Sequence, residues 1–180
     1  MKTITNTFNV YEIEELKAVD TEAYEKALEN VREAYKDTQL YFLYQDMEET
    51  LEAFAKTFNI TIVDYLLGIY LPSYVITDID DYMELDNTEK NNLVKEANNL
   101  KNEDCPFTGI HTDCYITDYF KEHEVTYNDL HKHLENVLGV AVRSFVNDLE
   151  DDLEDDRNIL EYAIEHDFEF LEDGSIYEAD

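Results

Sequence analysis

Positive charge is scarce in this chain: 13 Lys and Arg stand against 44 Asp and Glu, a formal net charge of −31 over 180 residues. Such a chain has no basic patch to neutralise phosphates, which argues against nucleic-acid binding by the chain alone. Cysteine is sparse too. Cys105 and Cys114 are read as free thiols of a reducing compartment rather than as a disulfide. No apolar run approaches the ~20 residues of a membrane span. The first six residues lack the apolar core of a signal peptide. The expectation is therefore a soluble, cytoplasmic protein that makes no membrane contact. Gly-x-Ser-x-Gly, P-loop and His-Glu-x-x-His motifs are all missing, so no catalytic residue, metal or cofactor is assigned. Neither an internal repeat nor a linker is visible, and a single α+β domain over residues 1–180 is the economical expectation.

Aromatic residues, by contrast, are plentiful. The chain holds 14 Tyr and 9 Phe, and 44% of it is hydrophobic. Disordered acidic chains are poor in aromatics, so this one is expected to fold. At this size it can bury roughly 70% of its unfolded surface without a staple. Self-repulsion at −31 opposes the compact state, and solubility needs only about 2–8 charges. The excess calls for a reason, either a halophilic setting or a strongly basic partner.

Hydrophobic spacing predicts the elements. Ile4–Ile13 alternates like a strand, with Ile4, Phe8 and Val10 on one face and Tyr11 and Ile13 on the other. Asp20 or Thr21 can cap a helix over 21–36, and a second helix spans about 38–58, ended by Asn59 in a left-handed cap. Strands at about 60–67 and 69–77 suggest a hairpin interrupted by Gly68 and Pro72-Ser73. Residues 78–86 read as an acidic connection and 88–100 as a polar helix. A loop follows at 102–109, then a strand over 110–120. Thr126–Asp129 resembles a capping box that opens the longest helix, about 127–155. Its stripe runs from Leu130 through Leu134, Val137, Leu138, Ala141, Val142, Phe145, Val146 and Leu149 to Leu153. A short helix over 158–166 and a hairpin turning at Asp173-Gly174 close the reading. The fold class is α+β: a small antiparallel sheet packed with four to five helices, one of them long and in the C-terminal half.

The most acidic stretch is Asp148-Leu149-Glu150-Asp151-Asp152-Leu153-Glu154-Asp155-Asp156. On a helix Leu149 and Leu153 share one face, so the acids fan into water around them. Asp148, Glu150, Asp151, Asp152, Glu154, Asp155 and Asp156 are candidate partner-binding residues, and Asp80 and Asp81 belong to a second acidic patch. The plainer alternative is a solvated helix face. Acids near a helix C-terminus oppose its dipole by ~0.3–1 kcal/mol each, a cost Arg157 only partly offsets and one that favours a functional purpose. Tyr41, Tyr44, Tyr70 and Tyr74 could anchor an interface.

Other constellations are thinner. His111, Asp113, Cys114 and His123, with Cys105 near, match no zinc spacing. His131 and His133, two apart on a helix, do not face each other and read as partly exposed surface. The acidic run lacks the central Gly of an EF-hand.

Three segments occur together in a suggestive order: Tyr11-Glu12-Ile13-Glu14-Glu15-Leu16, then Tyr24-Glu25-Lys26-Ala27-Leu28-Glu29-Asn30-Val31-Arg32-Glu33, and finally Phe168-Glu169-Phe170-Leu171-Glu172-Asp173-Gly174-Ser175-Ile176-Tyr177 behind a long and a shorter helix. Together they resemble a group of acidic proteins of bacterial phages and mobile elements that includes anti-CRISPR inhibitors of the type II effector Cas9. The resemblance implies a partner, Cas9 or its complex with guide RNA, in the cytoplasm of a bacterial host, and for one subgroup a shortening of the guide RNA. Many relatives carry a Gln-Gly-Asp-Gly-like loop after the central strand, where this chain has Leu67-Gly68-Ile69-Tyr70-Leu71-Pro72-Ser73-Tyr74, so nothing built on that loop carries over. Two readings stay open beside this one: a nucleic-acid-mimicking inhibitor of a restriction enzyme or other DNA-binding protein, and a metal-dependent nuclease.

Overall fold

The computed structural model describes residues 9–177. Ile4 and Phe8, expected on a first strand, lie outside them. The fold is α+β and dominated by helix. In chain order it holds β1 (Val10–Tyr11), α1 (Ile13–Val19), α2 (Thr21–Phe58), β2 (Thr61–Leu66), β3 (Tyr74–Asp78), α3 (Asp80–Glu84) and α4 (Asn87–Leu100). A 3₁₀ turn (His111–Asp113) then leads to α5 (Cys114–Glu122), α6 (Leu130–Glu154), α7 (Asp156–Glu165) and β4 (Phe170–Leu171). Among the described residues there are seven helices, more than the expected four to five, and the strands form two separate two-stranded antiparallel sheets, β1–β4 and β2–β3. Contacts group the chain into two compact units, residues 1–41 with 151–180, and residues 42–150.

In the first unit, the described part of the expected strand over 4–13 is strand at Val10–Tyr11. Ile13 begins a helix instead, because Ile13 and Leu16 are both buried one turn apart and the Glu15 carboxylate accepts the Glu12 N–H at 3.2 Å. Asp20 caps α2, accepting from the Glu22 and Ala23 N–H groups at 2.8 and 3.3 Å. The break expected near residue 37 does not occur, since no Gly or Pro interrupts 21–58. The Thr38 hydroxyl donates back to the Ala34 carbonyl at 2.7 Å, inside the helix, and meets the Tyr162 hydroxyl at 2.8 Å.

The closing hairpin forms as expected at Asp173-Gly174, with a different turn. Gly174 N–H donates to the Leu171 carbonyl (2.9 Å) and Leu171 N–H to the Ser175 carbonyl (2.8 Å). Only Gly174, at φ +80°, is left-handed, so three residues connect the strands where Asp-Gly suggested two. Val10 pairs with Leu171 and Tyr11 with Phe170. The turn seats on α2: Lys26 meets the Asp173 carboxylate at 2.9 Å, and the Asn30 amide donates to the Gly174 carbonyl at 2.9 Å. The segments 11–16, 24–33 and 168–177 thus meet in one packed corner.

In the second unit, Asn59 (φ +54°) ends α2, and Ile60 N–H reaches back to the Ala55 carbonyl at 3.0 Å. The β2–β3 hairpin is present, with a register shift between Ile62 and Asp64. The acidic connection over 78–86 contains the short helix α3. The expected strand over 110–120 is helix: Ile116, Thr117 and Phe120 are buried at helical spacing, and the Phe120 ring lies among Phe54 and Phe58. All ten stripe residues predicted from Leu130 to Leu153 are buried, and Asp129 accepts the Thr126 N–H at 2.6 Å at the head of that helix.

A carboxylate organises this unit from inside. Asp113 is fully buried. One oxygen accepts the Thr50 and Thr108 hydroxyls at 2.8 Å each. The other accepts the Phe107, Thr108 and Gly109 N–H groups at 2.8, 2.8 and 3.3 Å. Burial pushes its pKa up, but this ring of donors outweighs burial and holds it below the ordinary value.

Two outcomes are expected. A Cβ at Gly174 would lie 2.2 Å from the Ala23 carbonyl oxygen, so Gly174→Ala should cost about 2–4 kcal/mol in urea unfolding through left-handed strain and overpacking. Asp113→Asn should cost about 3–5 kcal/mol at neutral pH by leaving buried donors without their charged acceptor. Because the folded carboxyl is held low, that stabilisation is complete above the ordinary aspartate pKa and lost as pH falls through the lowered value. The gap between wild type and Asp113→Asn, followed by unfolding at stepped pH, should therefore close below about pH 4.

Candidate acidic interface

The acidic run does not lie on one helix end as the sequence suggested. α6 stops at Glu154 and a new helix starts at Asp156, two residues earlier than expected. Asp155 is the cap of α7: its carboxylate accepts the Arg157 N–H at 2.9 Å and pairs with the Arg157 guanidinium at 2.6 Å. These hydrogen bonds, side chain first and backbone second, hold Asp155 below the usual carboxylate range. Asp156 sits in the first turn of α7, where the helix dipole favours negative charge. The expected dipole cost is therefore reversed for these two acids.

Arg32 closes the junction from α2. Its Nε donates to the Leu153 carbonyl at 2.8 Å, satisfying one of the orphan acceptors at the end of α6. Its second nitrogen pairs with Asp156 at 2.7 Å, and a further ion pair joins it to Glu29. Asp152 accepts the Asn158 amide at 3.0 Å. Asp151, Asp152, Glu154 and Asp156 are exposed around buried Leu153. Tyr35, half-buried beside Asp152 and Tyr162, has its phenol pushed up, first by burial and then by those neighbours.

The candidates in residues 42–150 have their own surroundings. Asp148 is exposed beside buried Leu149. Glu150 is half-buried and accepts the Tyr70 N–H; it fixes the β2–β3 loop, where Tyr70 takes φ +57°. Asp80 and Asp81 are exposed in the first turn of α3. Of the proposed aromatic anchors here, Tyr70 and Tyr74 are exposed, while Tyr44 packs edge-on against Phe145. Tyr41, in the other unit, is exposed.

The residues weighed as metal ligands are used otherwise. Asp113 faces its ring of donors. Cys114 and His111 approach to 3.7 Å. His123 stacks on Tyr119, whose hydroxyl lies 3.0 Å from His133 Nδ1. Burial lowers the His133 pKa, partly countered by Asp129. Among the described residues no group of three or more His, Cys, Asp or Glu is placed to hold a metal ion. Both cysteines are free thiols, and no helix is long and apolar enough to cross a membrane.

Sequence reasoning missed Arg32 as the buttress of this surface. Its only signal was a base set among Glu25, Glu29 and Glu33, with Lys36 one turn on. No family model, curated protein or solved structure matches the chain.

Arg32→Gln should lower stability by about 1–3 kcal/mol, because a charged donor to a half-buried carbonyl is lost. Asp156→Asn, which leaves that carbonyl bond intact, should cost well under about 1 kcal/mol. Paired urea titrations measure the difference.

Proposed function

We propose that this protein is an anti-CRISPR inhibitor that engages a type II Cas9 effector, or its complex with guide RNA, through carboxylates displayed on folded backbone. The observation that carries the mode of action is the junction at Leu153: exposed acids stand on two helices whose ends are capped by Asp155 and Arg32. That makes the charge a fixed array and not a tail. Cas9 holds its heteroduplex in a positively charged channel and reads the PAM with arginines. Carboxylates and phosphates both accept bidentate arginine contacts. Helix acids one turn apart lie ~5–6 Å apart at Cβ, against ~3.4 Å per phosphate along a strand axis, a spacing that side-chain reach can bridge. The resemblance at the two ends of the chain supplies the partner class and the bacterial cytoplasm as the setting.

Shortening of the guide RNA, which the resemblance also implies, would on this reading be chemistry that Cas9 supplies or completes. A restriction enzyme or another DNA-binding protein offers a comparable phosphate-reading surface, and the same charge argument applies to it.

The test uses target-DNA cleavage by guide-loaded Cas9, with a restriction enzyme assayed in parallel and the guide RNA run on a gel. Asp155 and Asp156 also hold the fold, so the informative variant is Asp148→Asn, Asp151→Asn, Asp152→Asn and Glu154→Gln together. It should keep the wild-type circular dichroism and lose inhibition by roughly tenfold or more. Wild-type inhibition should weaken between about 50 and 200 mM salt. Undiminished inhibition by the variant would sink the acidic-surface mechanism, and inhibition of the restriction enzyme alone would replace the partner.

A further inference from the structure

The β2–β3 hairpin exposes apolar side chains between acids on its outward face. Opposed residues of an antiparallel pair share a face, and the register sets Leu66 against Tyr74 and Asp64 against Ile76. That face is open: Ile76 is 51% exposed, Val63 at the register shift 62%, and Tyr70 and Leu71 in the connecting loop 57% and 63%. Among the described residues the sheet has only these two strands, so each has an edge that no described strand covers. Isolated two-stranded hairpins are marginal in water, and open edges are normally covered or blunted.

Beside β2 runs an open groove of about 500 Å³ between the strand and the second half of α2. Its floor includes Leu51, Ala55 and Ile62. Its rim carries Glu48, Glu52 and Asp64, with Lys56 as the one cation of the lining. The tyrosines of the hairpin are tied to these acids: Tyr74 donates to Asp64 at 2.9 Å, and Tyr65 bonds Glu48. Asp78 ends β3, and exposed Asp80 and Asp81 follow it. An apolar strip bordered by charge of one sign complements an extended segment that alternates apolar and basic residues. Alternation of this kind is the pattern of strand addition, in which backbone pairing supplies affinity and alternate side chains supply specificity. A second copy of the chain is a poor occupant, since edge-to-edge pairing would bring two chains of net charge −31 together.

We propose that β2 is a docking edge for an extended, lysine- or arginine-bearing segment of a partner protein, which adds a strand to the hairpin and lays its apolar side chains along the adjoining groove. The inference rests on the reading of this protein as a binder of a basic partner, and it locates the apolar part of that contact. The acids of the hairpin then act at short range, and the exposed Val63 and Ile76 gain cover.

The test takes the full chain and a synthetic nine-residue peptide of alternating Lys and Val, against the same peptide N-methylated at every backbone amide nitrogen, on both of its edges. The two carry equal charge, but the second cannot pair as a strand. Fluorescence anisotropy should show the unmodified peptide binding at least about tenfold tighter. Amide hydrogen exchange should show new protection within Thr61–Leu66. The variant Val63→Ser with Ile76→Ser, both exposed positions, should weaken binding several-fold. If that variant loses its fold by circular dichroism, the exchange pattern of the wild type decides alone. Equal affinity for the two peptides, or protection that avoids Thr61–Leu66, overturns the proposal. Capture of Cas9 is scored separately: failure there removes the proposed function while peptide pairing at β2 stands or falls on its own result.

Discussion

Like-charge repulsion is the constraint to which this fold answers. With 44 acids and 13 bases, most carboxylates cannot be neutralised by a partner side chain. Some are placed where backbone does the work. Asp20, Asp86 and Asp155 cap α2, α4 and α7, each accepting N–H groups that would otherwise be orphaned, at the positive end of a helix dipole. Two cations stand where chain segments converge. Arg32 joins the end of α6 to the start of α7, and Lys26 pins the closing turn to α2. Among the described residues Asp113 is the one buried carboxylate, and its five donors make the charge tolerable there.

This placement separates acids that hold the fold from acids that face outward. Asp155, Asp156 and Glu150 each have a structural contact whose loss disturbs a helix end or a loop. Asp148, Asp151 and Glu154 flank buried leucines and face water. A surface that displays charge for recognition needs both kinds. The first fixes geometry, and the second meets the partner from backbone that is already ordered.

The helices with uninterrupted apolar stripes were legible from spacing alone. The stripe of α6 is buried residue for residue, and the caps at Asn59 and Asp20 follow from local chemistry. Short segments were not. Residues 110–120 carry Ile116, Tyr119 and Phe120 in an order that fits either period, and the decision fell to Phe120 packing among Phe54 and Phe58, a contact distant in sequence. The segment after Tyr11 was misread for the same reason: two buried residues, Ile13 and Leu16, are too few to fix a period. At the acidic run the direction of the dipole argument depended on where α6 ended. That boundary is set by Asp155 turning from helix interior to cap, which a row of chemically similar acids does not announce. Arg32 was invisible as a buttress because its partners, Leu153 and Asp156, come from the far end of the chain.

The pairing of Val10 with Leu171 also sets an order of events during synthesis. Residues 42–150 hold everything their unit needs and can condense as they leave the ribosome, as domains generally do. The other unit cannot close its sheet, or seat Gly174 on α2, until residues 170–175 have emerged. Such long-range closure is slow to reward the chain for the entropy it gives up. The carboxylates of residues 151–156 belong to that late unit, so the ribosome releases a charged chain before it releases a shaped one. A product ending before Phe170 would keep 40 of the 44 acids and lack the frame that gives them a pattern.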